Sequence, residues 1–247
     1  MEYVEWAPFY ERIRTEFDFP FEREKVAAAR LEALLPPVAR SHALARIRAR
    51  LSKRDVIVVG LAPRAGPPPI WRLPSSDPSP VVVAADGAAA PCLDAGIVPT
   101  VIVTDLDGPM PTEVGANGRG SLVVVHAHGD NLTAIEEWLP QFPGELAGSW
   151  AGAPGPTLFN VGGFTDGDRA AFLAERSGAR RILLWGFDFE SVEEADPRRR
   201  ARKLAKLAWA RRLLEELART ARSPLLVWAR DGSLAPYSAE KMDASTR

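Results

Sequence analysis

Short apolar runs of about five residues, rich in valine and isoleucine and most of them running into an aspartate or glycine signal, restrict this 247-residue chain more than any other feature. Asp55–Val59 ends in Gly60, Val81–Ala85 in Asp86-Gly87, and Val98–Val103 in Asp105-Leu106-Asp107-Gly108. Ser121–Val125 leads into His126-Ala127-His128-Gly129-Asp130-Asn131, Thr157–Val161 into Gly162-Gly163, and Arg181–Trp185 into Gly186-Phe187-Asp188; a seventh run is Ser223–Trp228. Runs without polar alternation are strands covered on both faces, which is how strands of a parallel sheet read. The fold expected is α/β: an open, mostly parallel sheet of six to seven strands with helices on both faces. The alanine-rich stretch from Ala88 to Ala95, capped by Gly96, is long enough for a crossover helix between two such strands. The strand carboxyl ends then share one edge, where open α/β proteins bind ligands.

Residues 1–54 read as a helical cap, with Trp6, Phe9, Tyr10, Ile13 and Phe17 at helical spacing and two further helical patterns interrupted by Pro36-Pro37. Residues 55–247 form the α/β domain. Within it Leu61–Pro80 reads as a long proline-rich loop, Glu113–Gly120 as a Gly/Asn turn, and residues 140–156 as a second loop. Helices are expected from about Leu132, with Asp130 or Asn131 as N-cap, and after Thr165. Another runs from Asp196 to Arg222, where Leu204, Leu207, Leu214, Leu217 and Ala221 mark one side and arginines the other. The tail from Asp231 is polar.

With 31 basic and 32 acidic residues the net charge is −1, so no global field favours nucleic acid or an anionic membrane. Cys92 is the single cysteine, which excludes an internal disulfide framework and suits a reducing compartment. No apolar stretch reaches the roughly 18 residues of a membrane span. A soluble, cytoplasmic protein is expected; oligomeric state is left open, a homodimer included.

Carboxylates at Asp86, Asp105, Asp107 and Asp130, with Asp168 behind them, would crowd the strand-end edge, and such crowding needs compensating positive charge. A hard cation, Mg²⁺, is the simplest source, and it usually brings phosphates with it. That directs the reading to phosphoryl or diphosphoryl transfer. His126 and His128 would stand on the same edge; a His-x-His zinc site ranks lower, because the neighbouring donors are all oxygen. Gly60, Arg64 and Gly66 are candidates to meet phosphate, as are the backbone N–H groups near Gly162-Gly163 before a helix. Thr165, Asp166 and Asp168 are equally suited to capping that helix.

The order Ala85-Asp86-Gly87-Ala88, Thr104-Asp105-Leu106-Asp107-Gly108, a Gly-Asp pair before a helix, and Gly162-Gly163-x-x-Asp166 resembles that of thiamine diphosphokinases. The stretches Val125–Asn131, Gly163–Arg169 and Gly186-Phe187-Asp188 are more similar to archaeal 6-hydroxymethyl-7,8-dihydropterin diphosphokinases, over roughly residues 55–230. The resemblance implies Mg²⁺-dependent transfer of the terminal diphosphate of ATP to the hydroxymethyl group of a reduced pterin, releasing AMP, in folate- or methanopterin-type synthesis. It implies metal binding by Asp105 and Asp107, with Asp86 and Asp130 completing or orienting the shell, and phosphate or proton handling by His126 or His128. Nucleotide contacts fall to Gly60, Asp86, Gly87, Asn131, Gly162 and Gly163. Pterin contacts fall to Asp166, Asp168, Arg169 and Asp188, with Phe164 or Phe187 stacking on the ring. One departure is plain: where such families place a compact Gly-Pro-Ser turn, Gly60-Leu61-Ala62-Pro63-Arg64 opens a long loop. Thiamine as acceptor, an Asp-x-Asp nucleotide-sugar glycosyltransferase and a non-enzymatic metal-binding module are the competing readings.

Overall fold

The expected strands pair into one sheet, built of nine strands in the order β6-β5-β4-β3-β2-β1-β7-β8-β9. This is a computed structural model describing residues 1–62, 65–73, 77–229 and 231–238; Pro63 and Arg64, named above for the first loop, lie outside that range. The strands are β1 Asp55–Val59, β2 Val81–Ala85, β3 Val101–Thr104, β4 Leu122–Ala127, β5 Leu146–Trp150, β6 Leu158–Phe159, β7 Arg181–Trp185, β8 Leu225–Trp228 and β9 Leu234–Pro236. All neighbours are parallel except β9, which is antiparallel to β8. The chain steps outward from β1 to β6, returns across the sheet to β7 on the other side of β1, and finishes at β9.

The helices are α1 Tyr3–Phe17, α2 Phe21–Leu34, α3 Ala43–Leu51, α4 Ala89–Asp94, α5 Met110–Gly118, α6 Leu132–Trp138, α7 Asp166–Arg176 and α8 Pro197–Thr220. Alternate residues of each strand feed two cores. Val56, Val58, Val83 and Val103 meet α1, α3, α7 and α8, while Ile57, Val59, Ala84 and Ile102 meet α2, α4, α5 and α6. The first 54 residues thus contribute to both layers, Trp6, Ile13 and Ile47 to one and Leu31 and Leu35 to the other.

Three elements depart from expectation. Residues 140–156 hold strand β5, which reads as a loop because it carries Gly148; a Cβ there would lie 2.8 Å from Leu35 and also strike Leu158. The expected turn at Glu113–Gly120 is mostly helix α5, held at its end by Asn117, whose amide donates to the carbonyls of Ser121 and Glu145 at 2.8 and 3.0 Å. The polar tail contributes β9, so the sheet has two strands more than the upper expectation. On α8 the buried stripe is Trp209, Ala210, Leu213, Leu214 and Leu217; Leu204 and Leu207 are half-buried.

Candidate active site

Asp86, Asp105 and Asp107 meet because β2 and β3 are neighbours. Asp86 turns the chain out of β2 at φ 47°, a left-handed backbone that aspartate tolerates better than most side chains. The next strand holds it there: the Thr104 hydroxyl donates to Asp86 Oδ1 at 2.9 Å and accepts from the Leu106 N–H at 2.9 Å. Gly108 lies against the Asp86 carboxylate, leaving no room for a Cβ. One carboxylate oxygen from each of the three aspartates lies within 4.8 Å of the other two. Asp130, expected with them, is not in this group; it is exposed on the loop after β4.

Crowding shows in the ionisation of the cluster. Burial opposes the charge on Asp105, but the hydrogen bond and charge of His128 outweigh it and hold the carboxyl down at about 2. Asp107 is exposed by surface area yet crowded by protein on its inner side, and that partial desolvation, then the charges of Asp105 and Asp86, push it up to about 7. Glu113 of α5 is fully buried beside Asp86; burial, then the charge of Asp86 and a hydrogen bond to it, push the carboxyl up to about 9. Asp105 Oδ1 is buried without a partner. Crowded carboxylates and an orphaned oxygen fit a hard divalent cation such as Mg²⁺, whose ligands are oxygens, and do not fit the nitrogen and sulfur ligation that zinc favours.

The loop after β4 aligns the cluster. Asn131 Nδ2 donates to the carbonyls of Asp105 and His126, both at 2.8 Å, and its Oδ1 accepts from the His128 N–H at 3.0 Å. The Asn131 amide is therefore a clamp between the loops that follow β3 and β4, with both of its protons engaged. His128 lies between the two loops, its Nδ1 3.3 Å from the Asp130 N–H and its Nε2 3.2 Å from Asp105 Oδ2. His126 is buried, with Nδ1 3.0 Å from Ser149 Oγ on β5. Burial, then the charges of Arg169 and His128, hold His126 well below the usual histidine range, so its ring is neutral.

Beside this loop opens a pocket with about 490 Å³ of empty space, mouth included. Tyr10, Phe19 and Phe164 give it aromatic walls; Glu24, Asp105, His126, His128, Asp130, Arg169 and Lys206 give it polar ones. Phe164 packs on Phe17 and Phe19 with ring centroids 5.4 and 6.2 Å apart. Gly129 admits the start of α2, since a Cβ there would lie 2.8 Å from Arg23 Cβ. That contact brings Glu24 to the pocket.

Several expected site residues have other work. Asp168 is buried and accepts from the N–H groups of Phe164 and Thr165, both at 2.7 Å, and from the Thr165 hydroxyl, forming a capping box at the start of α7. Those N–H groups are therefore not free for a phosphate near Gly162-Gly163. The two glycines answer to backbone shape, φ 85° and 89°, and Gly163 packs on the Arg169 backbone. Asp166 accepts from Arg169 Nη1 at 2.9 Å, and Arg169 Nη2 donates to the Phe164 carbonyl at 2.8 Å. Asp188 accepts from the N–H groups of Glu190 and Ser191 and does not line the pocket; Phe187 packs on Phe189 and against Gly167. Gly60 and Gly186 are in contact at the ends of β1 and β7, and Ala62 N donates to the Gly186 carbonyl at 2.8 Å, closing that crevice. Gly87 packs against Leu61.

Glu24, Glu113 and Lys206 are absent from the sequence-derived site. Each carried a signal: a charged residue aligned with a buried stripe, Glu24 with Ala27, Ala28 and Leu31, Glu113 with Met110, Ala116 and Asn117, Lys206 with Trp209, Ala210 and Leu213.

Fold and site together define an α/β protein with a cluster of three carboxylates and an adjoining aromatic pocket on the strand-end edge. Residues 34–194 match the family described as 6-hydroxymethylpterin diphosphokinase MptE-like. A 6-hydroxymethyl-7,8-dihydropterin pyrophosphokinase of Methanothermobacter thermautotrophicus is 38% identical over 230 residues, 89% of this chain and 96% of that protein. One from Pyrococcus furiosus is 38% identical over 235 residues, 92% of this chain and 98% of that protein. The chain belongs to this MptE-like diphosphokinase family. Among solved structures, thiamine pyrophosphokinase from Bacillus subtilis is similar at a TM-score of 0.38 and 15% identity, covering 70% of this chain and 60% of that one. No described helix is long and apolar enough to cross a membrane.

Proposed function

We propose that this chain transfers the terminal diphosphate of ATP to the hydroxymethyl group of 6-hydroxymethyl-7,8-dihydropterin, releasing AMP. The observation that carries the reading is the position of Asp105. It belongs both to the carboxylate cluster and to the lining of the aromatic pocket, so a diphosphate held at one meets an acceptor held in the other.

Asp86, Asp105 and Asp107 would hold Mg²⁺, which would supply neutralisation of phosphate charge beside the acceptor pocket. The pterin hydroxyl oxygen forms a bond to the β-phosphorus as the bond from that phosphorus to the AMP oxygen breaks. His128 orients Asp105, having both ring nitrogens engaged. His126 is neutral, and in the tautomer whose Nδ1–H donates to Ser149 Oγ its Nε2 is the acceptor for the hydroxyl proton. Lys206, on the lining of the pocket, supplies a cation for developing phosphate charge. The family assignment and the full-length relatives support the pterin as acceptor over thiamine or a sugar. Incubation with ATP, Mg²⁺ and either the hydroxymethyl dihydropterin or thiamine tests this. AMP is expected with the pterin alone; ADP as product, or thiamine as the better acceptor, contradicts it.

A further inference from the structure

The pocket must distinguish its acceptor from other flat heterocycles, and that discrimination needs a group placed against the ring's own donors. A 2-amino-4-oxo pyrimidine ring offers adjacent N–H groups on one edge, and a carboxylate accepts such a pair with its two oxygens. The carboxylates first expected there are engaged: Asp166 with Arg169, Asp168 with its helix cap, and Asp188 with its own turn. Of those that line the pocket, Asp105 belongs to the cation cluster and Asp130 is exposed. Glu24 differs from all of these. It lines the pocket, is 3% exposed, and its Oε2 has no hydrogen-bond partner. Arg169, on the same pocket, has an unpartnered buried Nε, a donor suited to a ring carbonyl.

On the reading of this site as a pterin diphosphokinase, we infer that Glu24 is the specificity-determining residue that accepts the N–H edge of the pterin. The Tyr10 hydroxyl hydrogen-bonds to this carboxylate, which leaves Oε2 as the unpartnered oxygen; a buried oxygen so left is costly, and a ligand's N–H edge relieves that cost where a ring carbonyl aggravates it. The predicted discrimination is therefore against the lumazine analogue, in which a carbonyl replaces the 2-amino group.

The test is calorimetric titration of the full chain with 6-hydroxymethyl-7,8-dihydropterin and with its lumazine analogue, for the wild type, Glu24→Gln and Glu24→Asp, alongside a non-hydrolysable ATP analogue. The wild type should prefer the pterin by about 100-fold. Glu24→Gln should bring that preference to within about threefold while leaving nucleotide affinity within about twofold. Glu24→Asp, which keeps the carboxylate on a shorter arm, should lose about tenfold in pterin affinity and keep the order of preference. Should Glu24→Gln not fold, the aspartate variant decides, and unchanged pterin affinity in it overturns the inference. Retention of the full preference by Glu24→Gln overturns the role of Glu24 alone; a wild type that binds no pterin overturns the functional reading beneath it.

Discussion

Asp107 and Asp105 are two residues apart and titrate in opposite directions, and the difference is one of neighbours. Asp105 has His128 at 3.2 Å and is held at about 2; Asp107 faces the charges of Asp105 and Asp86 and is raised to about 7. An unfolded aspartate titrates near 4, at about 3.9. Asp107 therefore keeps its proton better folded than unfolded, and its contribution to stability is lost as pH rises from about 4 to 7. Asp105 runs the other way, its contribution being present above about 4 and lost as pH falls towards 2. In protein freed of divalent cations, Asp107→Asn is expected to raise the melting temperature at pH 8 and to leave it nearly unchanged at pH 4. An equal shift at both values would show that the raised carboxyl is not the source.

At the level of elements, the site depends on how the loops after β3 and β4 are tied. Asn131 makes that tie with three hydrogen bonds from a nearly buried side chain. Asn131→Ala leaves two carbonyls and one N–H without that partner and is expected to cost about 3 kcal/mol in urea denaturation. Activity should fall further than the stability loss alone explains, because Asp105 and His126 lose their common anchor. A loss below about 1 kcal/mol would assign the tie elsewhere.

The same element shows what the sequence discloses and what it hides. Strands β1, β2, β3 and β4 were legible because each is an apolar run, and the aspartates that end β2 and β3 were legible because the runs stop on them. Strand β5 was hidden because packing against Leu31, Leu35 and Leu158 demands Gly148 in mid-strand, and glycine reads as loop. Asn131 was visible as a candidate, but its partners come from two strand ends, and no local pattern distinguishes a clamp from a ligand contact. Glu24 and Lys206 come from α2 and α8, whose charged surfaces resemble solvated faces until tertiary packing covers them.

For the whole molecule, the N-terminal helices are part of the core. Trp6, Ile13, Ile47 and Leu51 are fully or almost fully buried against one face of the sheet, Ala27, Leu31 and Leu35 against the other, and Tyr10 and Glu24 reach the pocket from the same segment. Each large apolar side chain so buried contributes about 1.5–3 kcal/mol, a total beyond the margin of a typical domain. A chain of residues 55–247 alone is expected to lose near-ultraviolet circular dichroism and cooperative melting. Cooperative unfolding of that fragment would show instead that the helices are a detachable cap.

The carboxylate cluster and the pocket are useful to each other only through Asp105. The direct measurement is AMP release from ATP, Mg²⁺ and 6-hydroxymethyl-7,8-dihydropterin by the wild type and by Asp105→Asn, with pterin binding measured on both. Asp105→Asn should reduce AMP formation by about 1,000-fold while pterin affinity changes less than about fivefold. AMP formation within about tenfold of the wild type would contradict the account.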